Sequence, residues 1–124
     1  MAVTARRLGE VAAPPLAPTD DPLDREHLSR ITLGDGGLER EVLELFLQQA
    51  GVMLGRAAGG NRAIAAIAAH TLKGSARSIG VWRVALAAEA VEFAGDAARR
   101  EAIEALAGAI EEARAAIERH LQGG

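Results

Sequence analysis

Cysteine is absent from the 124 residues, so disulfides, zinc–thiolate centres and thiol redox chemistry are excluded. Tyrosine is absent too, and the aromatic set is Phe46, Trp82 and Phe93. β-branched runs are missing, which removes the pattern of a sheet and leaves that of helices. No apolar run approaches the ~18 residues that span a bilayer. Arg6 and Arg7 are followed by no apolar stretch, and Glu10 interrupts, so a secretory signal is not expected. The cytoplasm is the expected compartment. Positive charge is not in excess: the net charge of -3 argues against a general nucleic-acid binder. His27, His70 and His120 are far apart, lack i, i+4 spacing and have no thiolates near them, so no metal site is expected.

What is present is alanine, leucine and helical spacing. With 49% hydrophobic residues, a chain of this length supports one domain with a modest core. Residues 1–20, with "VAAPPLAPTD", read as a mobile tail, and a bundle domain is expected over 21–122. "DDPLDREHLSRITLG" reads as a short helix with Asp21 as N-cap, Pro22 in the first position and Gly34 as the stop. Leu23, Leu28 and Ile31 are its inward residues.

A second helix is predicted over roughly 36–57, with Leu38, Val42, Leu45, Phe46, Gln49 and Val52 on its stripe. Leu43, Leu47 and Leu54 widen that stripe. Gly59 and Gly60 break the chain, and Asn61 caps a third helix over about 62–79. A fourth, about 82–95, has Trp82, Leu86, Val91 and Phe93 as its larger apolar residues. After the turn and restart at "GDAARR", Ile103, Leu106, Ile110, Ala113, Ile117 and Leu121 mark the last helix. The expected fold is all-α: an antiparallel four-helix bundle with a short additional N-terminal helix.

The third helix carries "AHTLKGSARSIG". Its core face is Ala65, Ala68, Ala69, Leu72, Ala76 and Ile79, centred near Leu72 at 100° per residue. Ala63, Ala66, His70, Lys73, Gly74 and Arg77 fall on the opposite face. His70 is thus expected in solvent, among small side chains and two cations. Lys73 is the only lysine in the chain. Gly74 costs a helix about 1 kcal/mol relative to alanine, but it removes the side chain that would obstruct an approaching protein. The expected result is a shallow platform with a positive rim, suited to an acidic pocket. A neutral imidazole offers a nucleophilic nitrogen, and Lys73 at i+3 can offset the charge of an incoming phosphoryl group.

"HTLKGSARSIG" resembles the signature of histidine-containing phosphotransfer (HPt) domains, the carriers of bacterial and fungal phosphorelays. "LELFLQQAGVML" is similar to the family's preceding helix, and "VALAAEAVEFAG" to the following one. The resemblance covers roughly residues 21–121. It implies the helical bundle, phosphorylation of His70 on Nε2, assistance by Lys73, and a docking surface of Ala63, Ala66, Ile67 and Gly74. It also implies that Glu92 orients the imidazole. Where some members carry a basic residue one turn later, this chain has Asp96, and Arg77 is the substitute.

The function expected is that of a phosphorelay carrier, accepting a phosphoryl group from a receiver-domain aspartate and passing it to another receiver domain. Receivers of hybrid histidine kinases and of response regulators are the expected partners. Mg²⁺ would come from the receiver, and no cofactor, nucleic acid, membrane or second copy is expected. The short length and starting methionine fit a free-standing carrier. No Gly-rich nucleotide site is present, so no autonomous kinase activity is expected. The alternative is a docking or inhibitory module without phosphotransfer.

Overall fold

The computed structural model describes residues 21–123, and the tail expected over 1–20 lies outside them. Among the described residues there are five helices and no strand. They are α1 (Arg25–Thr32), α2 (Gly36–Gly59), α3 (Arg62–Ile79), α4 (Trp82–Phe93) and α5 (Asp96–Leu121). Helices α2 to α5 close a ring, each packed on the next and α5 packed back on α2, with α1 lying on α2 and α3. The links at 60–61, 80–81 and 94–95 are short enough to make consecutive helices antiparallel neighbours.

Local signals set the ends of these helices. Asn61 accepts from the Ile64 N–H and caps α3, and Asp35 does the same for α2 through Leu38. Gly80 ends α3 at φ 89, a left-handed conformation that glycine adopts without strain. The cap of α1 differs from the expectation. Asp24, not Asp21, accepts from the His27 N–H and starts the helix at Arg25. The preference is tertiary: Asp24 also accepts from the Trp82 indole at 2.9 Å, and its N–H donates to the Gly80 carbonyl at 2.9 Å. His27 completes the joint. It donates from Nε2 to the Ser78 carbonyl at 3.0 Å and meets Trp82 edge-on at 5.1 Å. One carboxylate thereby caps α1 and fastens it to the α3–α4 turn.

The core is built from small residues. Ala50, Ala57, Ala65, Ala69, Ala76 and Ala88 are buried beside Leu43, Leu72, Leu106, Ile110 and Ile117. The predicted faces of α3 and α5 are the buried ones, with Ile103 and Leu121 half-buried at the edge. The predicted stripe of α2 needs correction. Its buried residues are Leu43, Phe46, Ala50, Met53 and Ala57, while Leu38, Leu45 and Val52 are exposed. Ala50 and Ala57 share that inner face with Leu43, Phe46 and Met53, and their small side chains let the neighbouring helices approach closely. Likewise Ile31 of α1 and Leu86 and Phe93 of α4 are exposed.

Burial raises the affinity of Asp24 for a proton, but the backbone bond from His27 and the indole bond from Trp82 outweigh it and hold the carboxyl below 3.8. Its stabilising contribution is therefore complete above that pH and is lost as pH falls through the lower folded value. Asp24→Ala should lower unfolding stability by about 1–2 kcal/mol at pH 7. In urea titrations the gap from wild type should narrow progressively below about pH 3.8.

Candidate functional site

His70 lies two turns before the end of α3, and its side chain is 68% exposed, as its place opposite Leu72 requires. Across the α3–α4 contact, Glu92 stands one residue before the end of α4. His70 Nδ1 and Glu92 Oε2 are 2.7 Å apart. An ionised carboxylate only accepts, so Nδ1 carries the hydrogen, and it is Nε2 that holds the lone pair in the neutral imidazole. Among the described residues Nε2 has no partner.

Lys73 is placed differently from the expectation. Instead of standing in solvent beside His70, it is buried, at 9% exposure. It lies at the border of the two faces of α3, and its stem turns toward α4. The ammonium sits 2.7 Å from Glu92 Oε1 and 5.5 Å from the centre of the Phe93 ring. No aligned hydrogen bond reaches Oε1, which is excluded from solvent; the ion pair with Lys73 compensates it. One carboxylate thus takes the imidazole on one oxygen and the ammonium on the other.

The expected positive rim is corrected as well. Arg77 Nη2 lies 3.5 Å from Glu89 Oε2, and the Lys73 ammonium lies 3.8 Å from the same oxygen. Two cations face two carboxylates, so the rim is charge-balanced. Glu89 was not singled out in the sequence, and Phe93 was read only as a larger apolar residue of α4. The signal was there for Glu89, which sits one helical turn before Glu92 and shares its face. Asp96 does not extend the α4 face, because it opens α5, where an acidic first turn suits the helix dipole.

Glu92 is held below the usual carboxylate value, first by Lys73, with burial opposing and His70 assisting. It is therefore ionised at neutral pH, as the tautomer assignment requires.

Around the imidazole the surface is low. Ala63 and Gly74 are exposed, Ala66 is half-buried and Ile67 is 68% exposed. A shallow open cavity of about 340 Å³ is lined by Ala66, Ile67, His70, Thr71 and Glu92. A Cβ added at Gly74 would meet nothing within 4 Å, so the fold does not require glycine there. His27 and His120 serve the scaffold: His120 Nε2 pairs with Glu39 at 2.9 Å, joining the end of α5 to the start of α2. No cluster of three or more potential metal ligands occurs among the described residues.

The family model of the Hpt domain matches residues 41–116. The chain belongs to the HPt-domain family. The matched span runs from the first turns of α2 into α5 and includes both His70 and Glu92. Comparisons with curated proteins and with solved structures gave no match. HPt domains are helical bundles that act as histidine phosphocarriers in phosphorelays and engage receiver domains. That coarse role is this chain's. No helix among the described residues is long and apolar enough to cross a membrane.

Removing the Glu92 charge tests the bridge. Glu92→Gln keeps an acceptor for Nδ1–H but leaves the buried Lys73 with only the 3.8 Å contact to Glu89, and should cost about 1–3 kcal/mol in urea unfolding. Glu92→Ala should also release the tautomer, giving mixed imidazole ¹⁵N shifts where wild type shows Nδ1–H. Because the folded Glu92 value is depressed below 4.5, its contribution is present above that pH and lost as pH falls through the folded value.

Proposed function

We propose that His70 carries the phosphoryl group on Nε2, taking it from the aspartyl phosphate of one receiver domain and passing it to another. The observation that supports this most directly is the Nδ1–Glu92 bond, which leaves Nε2 as the available nucleophile on an exposed ring. The Nε2 lone pair attacks phosphorus in line as the phosphorus–oxygen bond to the aspartate breaks, and the aspartate leaves as a carboxylate. Nδ1 keeps its proton, held by Glu92, so the positive charge gained by the ring faces a carboxylate. Onward transfer reverses these steps.

The transition state of phosphoryl transfer is loose, so alignment and charge compensation matter most. Mg²⁺ belongs, in this reading, to the acidic pocket of the receiver. Ala63, Ala66, Ile67 and Gly74 form the docking surface. Ile67 supplies apolar contact, and the small residues let the partner close on the ring. Donor and acceptor use the same face and must bind in turn. The contact is transient and sits at the small end of interface sizes, on the order of 1,200 Å² in total.

Incubation with a panel of phosphorylated receivers tests the assignment. His70→Gln should take up no label. Label uptake equal to wild type would overturn the carrier role of His70 and favour a docking module. A second comparison isolates the docking surface. Gly74→Gln and Gly108→Gln both replace exposed helical glycines with open space around them, so both should fold. Only the Gly74 variant should lose transfer, by at least about tenfold, as an obstructed interface predicts.

A further inference from the structure

The charge-balanced rim poses a problem for the function proposed above. A phosphoryl group on His70 brings roughly two negative charges to a face whose cations are already engaged. The two cations are held unequally. Lys73 is 11% exposed in its side chain and lies 2.7 Å from Glu92, under the Phe93 ring. Arg77 is 42% exposed, and its contact with the 39%-exposed Glu89 is 3.5 Å. An exposed pair at that distance contributes little, whereas a guanidinium on a phosphoryl group forms strong charge-assisted bonds.

Helix geometry gives Arg77 a path. His70 and Arg77 are seven residues apart, so they share a face and are separated by about 10.5 Å along the axis. Helical side chains lean toward the N-terminus, which inclines the Arg77 stem toward His70. Gly74 lies between them and has no side chain, and the space above it is open.

We propose that Glu89 is a positioning residue that holds Arg77 aside in the unphosphorylated protein, and that phosphorylation of His70 draws the Arg77 guanidinium from Glu89 to the phosphoryl oxygens. Lys73 stays on Glu92 throughout and acts on the reaction through that carboxylate. The two cations then have separate tasks: Lys73 fixes the imidazole's support, and Arg77 is the mobile counter-charge. Glu89 sets how readily that counter-charge is released.

The inference rests on the phosphorylation of His70, and the test separates the two. Wild type, His70→Gln, Glu89→Gln, Arg77→Ala and the Glu89→Gln/Arg77→Ala double variant are treated with potassium phosphoramidate. Phosphohistidine is followed by ³¹P NMR, and the Arg77 side chain by its Nε–H signal. Wild type should gain phosphohistidine that His70→Gln lacks, and its Arg77 signal should shift on phosphorylation. Glu89→Gln should lengthen the phosphohistidine half-life about two- to fivefold, the scale of releasing an exposed pair. The double variant should match Arg77→Ala. Failure of wild type to gain phosphohistidine at His70 would overturn the functional reading and this inference with it. A phosphorylated wild type with an unmoved Arg77 signal, or an unchanged half-life in Glu89→Gln, would overturn this inference alone. So would a lengthened half-life that persists without Arg77, because the effect would then be the field of Glu89 and not release of the guanidinium.

Discussion

A carboxylate oxygen withdrawn from water requires a compensating charge, and Glu92 finds it in Lys73 at 2.7 Å. That pair fixes the second oxygen of Glu92, and the second oxygen fixes the ring of His70. The tautomer follows from the charge, and the exposed nitrogen follows from the tautomer. None of this chemistry resides in the histidine alone. It depends on α3 and α4 packing closely enough for one short hydrogen bond and one short ion pair to cross between them, and the buried alanines of both helices, Ala69, Ala76, Ala85 and Ala88 among them, are small enough to suit a close approach.

The scaffold shows the same economy at its other end. Asp24 has two acceptor oxygens and uses both, one on the α1 cap and one on the Trp82 indole. In each case a carboxylate ties one helix to a residue of another, Asp24 to Trp82 and Glu92 to His70 and Lys73. The consequences for pH have the same sign: both groups are held below their ordinary values, so acid weakens the N-terminal joint and the site support together.

How much of this was legible in the sequence depended on residue size and reach. The face of α3 could be read because its buried apolar residues, four alanines with Leu72 at the centre and Ile79 at the end, keep helical spacing, so periodicity alone located His70 opposite. The face of α2 could not. Leucine and valine at 38, 45 and 52 outweighed Ala50 and Ala57 in the pattern, although the alanines are the buried ones. Lys73 was misplaced because a helical wheel records where Cα points and not where a long stem ends. The Asp24 cap was hidden for a related reason: the competing signal at Asp21 and Pro22 is local, while the partners that favour Asp24 are Trp82 and Gly80, more than fifty residues away. Glu92 was reached through the family resemblance. Its spacing from Glu89 then held the remaining information, since residues three apart on α4 must face the same neighbour.

The exposed glycines sharpen what the His70 face is for. Gly51, Gly55, Gly74 and Gly108 all sit within helices and all have open space where a Cβ would go, so glycine alone does not mark a functional surface. What distinguishes Gly74 is its neighbours. It lies one turn beyond an imidazole whose Nδ1 is already engaged, and one turn before a guanidinium held only by a loose surface pair. In the proposed relay a missing side chain at that point would serve two movements at once: the approach of a protein from outside and the passage of Arg77 along the helix. Both need the same volume, and a docked receiver would fill it. On the proposed transfer, Arg77 would reach the phosphoryl group after the donor leaves or from the α4 side, which would tie the order of events at His70 to the width of a single residue.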